Sequence, residues 1–195
     1  MDSILGRTHW IFDLDGTLTT SVHDFEAIRE ALGLPEGSEI LESLRSMPKE
    51  RALPLWRKLD DIEFDLTRDA RAAEGAAALL ERLLARGVRL GILTRNSLRT
   101  ALETLRVAGL EHFFDAAHIL GRDEAEPKPS PQGILTLLGR WQAAPEQAVT
   151  VGDYLFDLLA GRAAGTATVY VDESGEFPYQ EHADLSVQRL DALLR

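Results

Sequence analysis

Cysteine is absent, which excludes a disulfide framework and any thiolate chemistry. Lysine is scarce. It occurs only at Lys49, Lys58 and Lys128, although arginine is frequent. No apolar run approaches the ~20 residues of a membrane span, so no membrane partner is expected. The opening stretch, Met1-Asp2-Ser3-Ile4-Leu5-Gly6-Arg7, lacks the basic and then apolar pattern of a signal peptide. A soluble, cytoplasmic protein is therefore expected. The net charge is −11 with no basic stripe, which argues against nucleic acid as a partner. An acidic chain that binds an anion must gather its positive charge in one place, so each lysine is worth locating. What remains is 195 residues, 45% of them hydrophobic, without repeats or low-complexity tracts. That is enough for one domain, or one domain and a small insert, around a real core.

The chain turns on Ile11-Phe12-Asp13-Leu14-Asp15-Gly16-Thr17. The apolar run His9-Trp10-Ile11-Phe12 is too short for a helix and reads as a buried strand. Asp and Gly are poor strand formers, so the strand stops there and the chain turns. Two carboxylates two residues apart at the mouth of a buried strand repel each other and resist burial. A divalent cation is the obvious partner. An Asx turn closed by Gly16 is the plainer alternative, and this segment alone does not decide between them.

Residues 18 to about 74 form an all-helical block. Asp24 to Leu32 is amphipathic, with Asp24 or Ser21 as its N-cap and Gly33 as its C-cap. Ser38 is placed to cap a second helix from Glu39 to about Met47. Pro48 restarts the chain into a third helical segment, with Pro54 in its first turn or at a kink. From Gly75 onward, helix and strand alternate. Helices are expected over 76–86, 98–107, 130–141, with Pro131 in its first turn, 154–164 and 188–194. Strands are expected over 88–93, 117–120, 148–151 and 167–171, with 184–187 as an edge strand. Such alternation predicts an α/β fold, a Rossmann-like parallel sheet with helices on both faces. The division expected is a core of 1–18 and 75–195, with 19–74 inserted after the first strand. Its linkers fall near Leu18 to Ser21 and Arg71 to Gly75.

Sheets of this kind bind ligands at the carboxyl ends of their strands. Asp13 and Asp15 follow the first strand, Thr94 and Asn96 the second, Lys128 precedes a helix, and Asp153 and Asp157 follow the strand 148–151. In a parallel sheet all four groups fall on one rim. The ordered set Asp13-Leu14-Asp15-Gly16-Thr17, Leu93-Thr94-Arg95-Asn96, Lys128-Pro129 and Gly152-Asp153-Tyr154-Leu155-Phe156-Asp157 resembles the haloacid dehalogenase (HAD) superfamily. The helical insert resembles the cap of the phosphoglycolate-phosphatase-like and beta-phosphoglucomutase-like branch, in a shorter form.

The resemblance implies a Mg²⁺-dependent phosphatase acting on a small phosphorylated metabolite of the phosphoglycolate or sugar-phosphate kind. By that resemblance Asp13 is the nucleophile and forms an aspartyl-phosphate. Asp15 protonates the leaving oxygen and then activates water. The metal takes the Asp13 and Asp153 carboxylates and the Asp15 backbone carbonyl, with Asp157 behind them. Thr94, the Arg95 and Asn96 amides and Lys128 hold the phosphate oxygens, partly at a helix N-terminus. A phosphomutase of the same family is one rival reading, and a non-catalytic phosphate- or metal-binding module on the same fold is another. Dehalogenase activity is disfavoured because, by the resemblance, such relatives lack the second Asp. Phosphonatase activity would need a Schiff-base lysine, for which Lys49 and Lys58 are the candidates. A monomer or weak homodimer is expected.

Each residue also has a plainer role. Thr94 with Ser97 could cap the helix at 98, Lys128 could be an exposed turn lysine, Asp153 could cap the following helix, and Asp157 could face solvent. Asp60, Asp61, Glu63, Asp65 and Asp69 read as a solvated helix face. His9, His23, His112, His118 and His182 lack zinc-ligand spacing. His23, Arg45, Lys49, Arg51 and Lys58 could touch substrate, but surface salt bridges are the preferred reading for each. Trp10, Trp56, Phe64 and Trp141 read as packing residues.

Overall fold

Trp10 and Phe12 enter one apolar cluster and Ile11 another, so the first strand, β1 (His9–Phe12), is covered on both faces. The structure, a computed structural model, describes residues 2–194. It begins with a short helix, α1 (Asp2–Leu5), ahead of β1. β1 pairs in parallel with β2 (Arg89–Leu93) on one side and β4 (Ala148–Gly152) on the other. With β3 (Ile119–Leu120), β5 (Ala167–Val171) and β6 (Leu185–Val187), the sheet runs β3-β2-β1-β4-β5-β6, parallel throughout. Its outer layers are α5 (Ala76–Ala85) and α6 (Leu98–Val107) on the Trp10 face, and α7 (Gln132–Trp141) and α8 (Leu155–Ala164) on the Ile11 face. Each fully buried aliphatic or aromatic side chain here contributes roughly 1.5–3 kcal/mol. No helix among the described residues is long and apolar enough to cross a membrane.

Register is what builds the site. Phe12 lies opposite both Ile92 and Val151, so β1, β2 and β4 end nearly flush. The residues that follow them, Asp13, Thr94 and Asp153, therefore emerge on one rim.

Three helices fill the stretch between β1 and α5: α2 (Phe25–Leu32), α3 (Ile40–Ser46) and α4 (Lys49–Leu66). They share their own apolar cluster around Ile28, Leu32, Leu41, Leu44 and Leu59. Asp24 caps α2 by accepting the Ala27 amide, and Gly33 ends it in the left-handed conformation. The two chain crossings into this block are stitched together. The Thr20 amide donates to Arg71 O at 3.0 Å and the Ala73 amide to Leu18 O at 2.9 Å.

Several local expectations are corrected. Ser38 does not cap α3; its hydroxyl donates to Pro35 O at 2.7 Å, and Glu39 occupies the cap position. α4 continues through Pro54 in its second turn. Pro131 stands at the cap of α7, before its first turn. Residues 116–118 form a 3₁₀ turn, which leaves β3 only two residues long. The C-terminal segment Leu190–Leu194 is a 3₁₀ helix rather than an α-helix, anchored by buried Leu190 and Leu193.

Candidate active site

Asp13 continues β1 by one residue, its amide donating to Val151 O at 2.8 Å. The chain then reverses tightly over Leu14, whose carbonyl accepts the amides of Leu18 and Thr19 at 2.9 Å. Gly16 sits in that turn at φ +88°, and a Cβ there would run into the Asp153 carboxylate. Glycine is thus required twice over, by the backbone angle and by the close approach of Asp153. The Thr17 hydroxyl donates to Asp153 Oδ1 at 2.8 Å and fixes that side chain from the β1 turn. At the end of β4, a Cβ on Gly152 would overlap Asp157. Carboxylate oxygens of Asp13, Asp153 and Asp157 consequently lie within 4.8 Å of one another.

Lys128 enters this group from the loop before α7. It is 4% exposed, and its ammonium contacts Asp13 Oδ1 and lies 2.6 Å from Asp157 Oδ1. The exposed-turn role is therefore excluded. Burial works to strip Lys128 of its proton, but Asp13 and Asp157 outweigh it and hold the ammonium above its ordinary pKa. The acids are pushed up. Burial lifts Asp157 to about 6 and raises Asp13 and Asp153 as well, with Lys128 opposing and the neighbouring carboxylates adding to the rise. Asp157 is buried rather than solvated, and its Oδ2 accepts the Tyr154 amide at 3.0 Å at the start of α8. Asp157 thus does the capping that the sequence offered to Asp153.

Thr94 does not cap α6; Ser97 does, accepting the Thr100 amide at 3.3 Å. The Thr94 hydroxyl accepts the Asn96 amide at 3.1 Å. The Asn96 side chain donates to Asp15 Oδ2 at 2.7 Å, which ties the β2 rim to the β1 turn. Asp15 is lifted by burial to about 6, with Lys128 pulling it back. The Arg95 guanidinium turns from the rim towards the helical block, donating to Glu42 at 2.8 Å and to Lys128 O at 3.1 Å. It lies 4.8 Å over the Phe156 ring.

All eight residues singled out from the strand ends, Asp13, Asp15, Thr94, Arg95, Asn96, Lys128, Asp153 and Asp157, line one cavity of about 390 Å³. Its far wall comes from the helical block. Among the basic candidates there, Arg45 pairs with Glu126 at 2.8 Å, Lys58 donates to Ala31 O at 2.5 Å, and Lys49 and Arg51 are exposed and away from the cavity. His23 departs from the surface reading. Its side chain is 5% exposed, it faces the cavity with Nδ1 3.9 Å from Asp15 Oδ1, and burial lowers its pKa.

The acidic run is corrected too. Glu63 is buried against Arg122 at 2.7 Å, and Arg122 also pairs with Asp60. Burial lifts Glu63 to about 7 against the pull of Arg122. Arg122 was not singled out from the sequence; its only signal was an arginine two residues past a strand, in Gly121-Arg122. Trp10 and Trp141 are buried as packing residues, whereas Trp56 and Phe64 are half-buried beneath the guanidinium groups of Arg122 and Arg99.

The donor set suits Mg²⁺. Asp13, Asp153 and Asp157 offer only carboxylate oxygens, the ligand type this hard cation prefers. One ammonium faces all of them, and their raised pKa values mark a shortage of positive charge that a divalent ion would relieve.

Residues 23–171 match the family model described as haloacid dehalogenase-like hydrolase. A haloacid dehalogenase-like hydrolase domain-containing protein of Arabidopsis thaliana is 31% identical over 86% of this chain and 71% of its own. Hexitol phosphatase A of Escherichia coli is 29% identical over 94% of this chain and 92% of its own. Among solved structures, a hydrolase from Pseudomonas syringae superposes with a TM-score of 0.78 at 26% identity, covering 96% of each chain.

Proposed function

The chain belongs to the haloacid dehalogenase-like hydrolases, and from that premise we propose that it hydrolyses a small phosphomonoester by passing the phosphoryl group to Asp13 and then to water. The observation that carries this reading is Asp13 itself. It is a largely buried carboxylate at the end of the central strand, in contact with Lys128, with a second acid two residues on. A phosphate ester resists attack because its oxygens are negative, so catalysis rests on a fixed nucleophile and on positive charge around the phosphoryl group.

In the proposed first step an Asp13 oxygen bonds to phosphorus and the ester P–O bond breaks. Asp15 gives its proton to the departing oxygen. In the second step water attacks the same phosphorus, Asp15 takes a proton from it, and the Asp13–phosphorus bond breaks to release phosphate. Asn96 holds Asp15 in place at 2.7 Å, which keeps its second oxygen free for this exchange. Lys128 and the Thr94 hydroxyl are assigned to the phosphoryl oxygens. Mg²⁺ would be held by Asp13, the Asp15 backbone carbonyl and Asp153, with Asp157 behind them, and when bound it offsets charge on the phosphoryl oxygens. Residues 19–74 are assigned as a cap over a core of 1–18 and 75–195. In support, α2, α3 and α4 supply Ile28, Ile40, Leu41 and Leu59 to the cavity wall opposite the carboxylates.

The test is turnover of para-nitrophenyl phosphate. Activity with Mg²⁺ is expected, with loss on chelation and a drop of more than about a thousandfold in Asp13→Asn. Wild-type turnover by a folded Asp13→Asn variant would refute the nucleophile.

A further inference from the structure

The phosphatase reading leaves the leaving group open, and the wall facing the carboxylates bears on it. Six acidic side chains line the cavity against three basic ones. Lys128 is committed to Asp13 and Asp157. The other two bases already have carboxylate partners. Arg95 is held by Glu42 at 2.8 Å, with Glu39 3.7 Å away. Arg29 is held by Glu26 at 2.5 Å. Beyond the phosphoryl position, no lining arginine or lysine among the described residues is without a carboxylate partner.

Much of the rest of that wall is apolar. Phe25, Ile28, Ile40, Leu41, Leu59 and Phe156 face the cavity. Ser21, Tyr154 and His23 interrupt them. Both His23 ring nitrogens are buried without a hydrogen-bond partner, beside Asp15. A buried polar group without a partner is costly, so a site that leaves one facing a cavity is shaped for a ligand to satisfy it. A hydroxyl can both donate and accept, so it can meet an imidazole nitrogen in either role.

We infer that the substrate is the phosphate ester of an uncharged alcohol with an apolar face and a further hydroxyl, and that esters and anhydrides whose leaving group carries its own negative charge are poor substrates. Phosphocarboxylates and diphosphates fall in the excluded class. A second anion would sit near Glu39, with the lining arginines already paired to carboxylates, and like charges at close quarters repel. The discrimination resides in ion pairs made by the wall, so freeing one of its arginines should weaken it. The inference rests on the phosphatase reading above.

Two substrates of one shape separate the possibilities. Para-(hydroxymethyl)benzyl phosphate and para-carboxybenzyl phosphate share a ring and a scissile bond, and differ in a hydroxymethyl group against a carboxylate. With wild-type protein and Mg²⁺, kcat/KM should favour the alcohol by more than about tenfold. In Glu42→Gln, an exposed change outside the reacting set, Arg95 loses its nearer carboxylate. The preference should then shrink several-fold, through faster turnover of the carboxylate substrate. Equal or better turnover of the carboxylate substrate by wild type overturns the inference, and so does a preference that Glu42→Gln leaves untouched. If para-nitrophenyl phosphate is turned over but neither benzyl ester is, this inference fails alone. If nothing is turned over, the phosphatase reading falls and this one with it.

Discussion

Two buried clusters are made of the same ingredients and end in opposite states. One stands at the sheet rim, where Asp13, Asp15, Asp153 and Asp157 gather around Lys128. The other joins α4 to the loop after β3, where Asp60 and Glu63 close on Arg122. In the second cluster the guanidinium reaches both acids. One arm donates to Glu63 at 2.7 Å and to Arg95 O at 3.1 Å, and the other pairs with Asp60. At the rim four acids share one ammonium, a lone point charge that cannot serve them all. A balanced buried cluster fixes how two parts of the chain meet. An unbalanced one, opening on a cavity, is completed from outside.

Removing the central cation of each cluster tests that contrast most severely. Lys128→Gln should lower kcat/KM on para-nitrophenyl phosphate by about a thousandfold, since the ammonium is assigned to developing phosphoryl charge. Arg122→Leu should instead show in stability. It strands Glu63 in the interior, and urea unfolding should register a loss of about 3 kcal/mol. Should Lys128→Gln keep its turnover while Arg122→Leu loses turnover and keeps its stability, the two roles are reversed.

A smaller effect sharpens the comparison through pH. Glu63 is held at about 7 in the folded chain against an ordinary 4.5. Below 4.5 both folded and unfolded chains hold the proton. Between 4.5 and about 7 the unfolded chain releases it while the folded chain keeps it, so stability falls as pH rises and the loss is complete above that window. Glu63→Gln should flatten this slope by roughly 1 kcal/mol per pH unit, measured by unfolding at stepped pH. An unchanged slope would place the carboxylate in a less costly setting than its burial indicates. The raised value also means that Arg122 does not fully offset the desolvation of Glu63, so the clamp serves placement more than stability.

The fold was legible because its signals are local. Alternating apolar runs, glycine stops and the residues at strand ends each sit within a few positions of the feature they report. Local reasoning erred where a second, distant segment decides the outcome. Glu63 belongs to an acidic run at helical spacing, and only Arg122, 59 positions away, distinguishes it from its solvated neighbours. His23 reads as a surface residue until the β1 turn closes beside it. Ser38 looks like a cap for α3 but finds a nearer acceptor in Pro35. The last segment has the composition of a helix, yet Leu190 and Leu193 pack into the core in a tighter turn. Asp13, Lys128, Asp153 and Asp157 could be named from sequence because each flanks an element end. Their mutual distances come from strand register, which no single segment encodes.

The two rim glycines set the terms on which this protein can change. At Gly16 and Gly152 even a methyl group would push into Asp153 or Asp157. Those two positions on the reactive side of the cavity are closed to any larger residue. The glycines beside the facing helices, Gly33 and Gly37, meet no such obstacle, and an exposed residue there such as Glu42 touches none of the carboxylates of the rim. New tastes in this scaffold should therefore enter through its roof and leave its floor untouched.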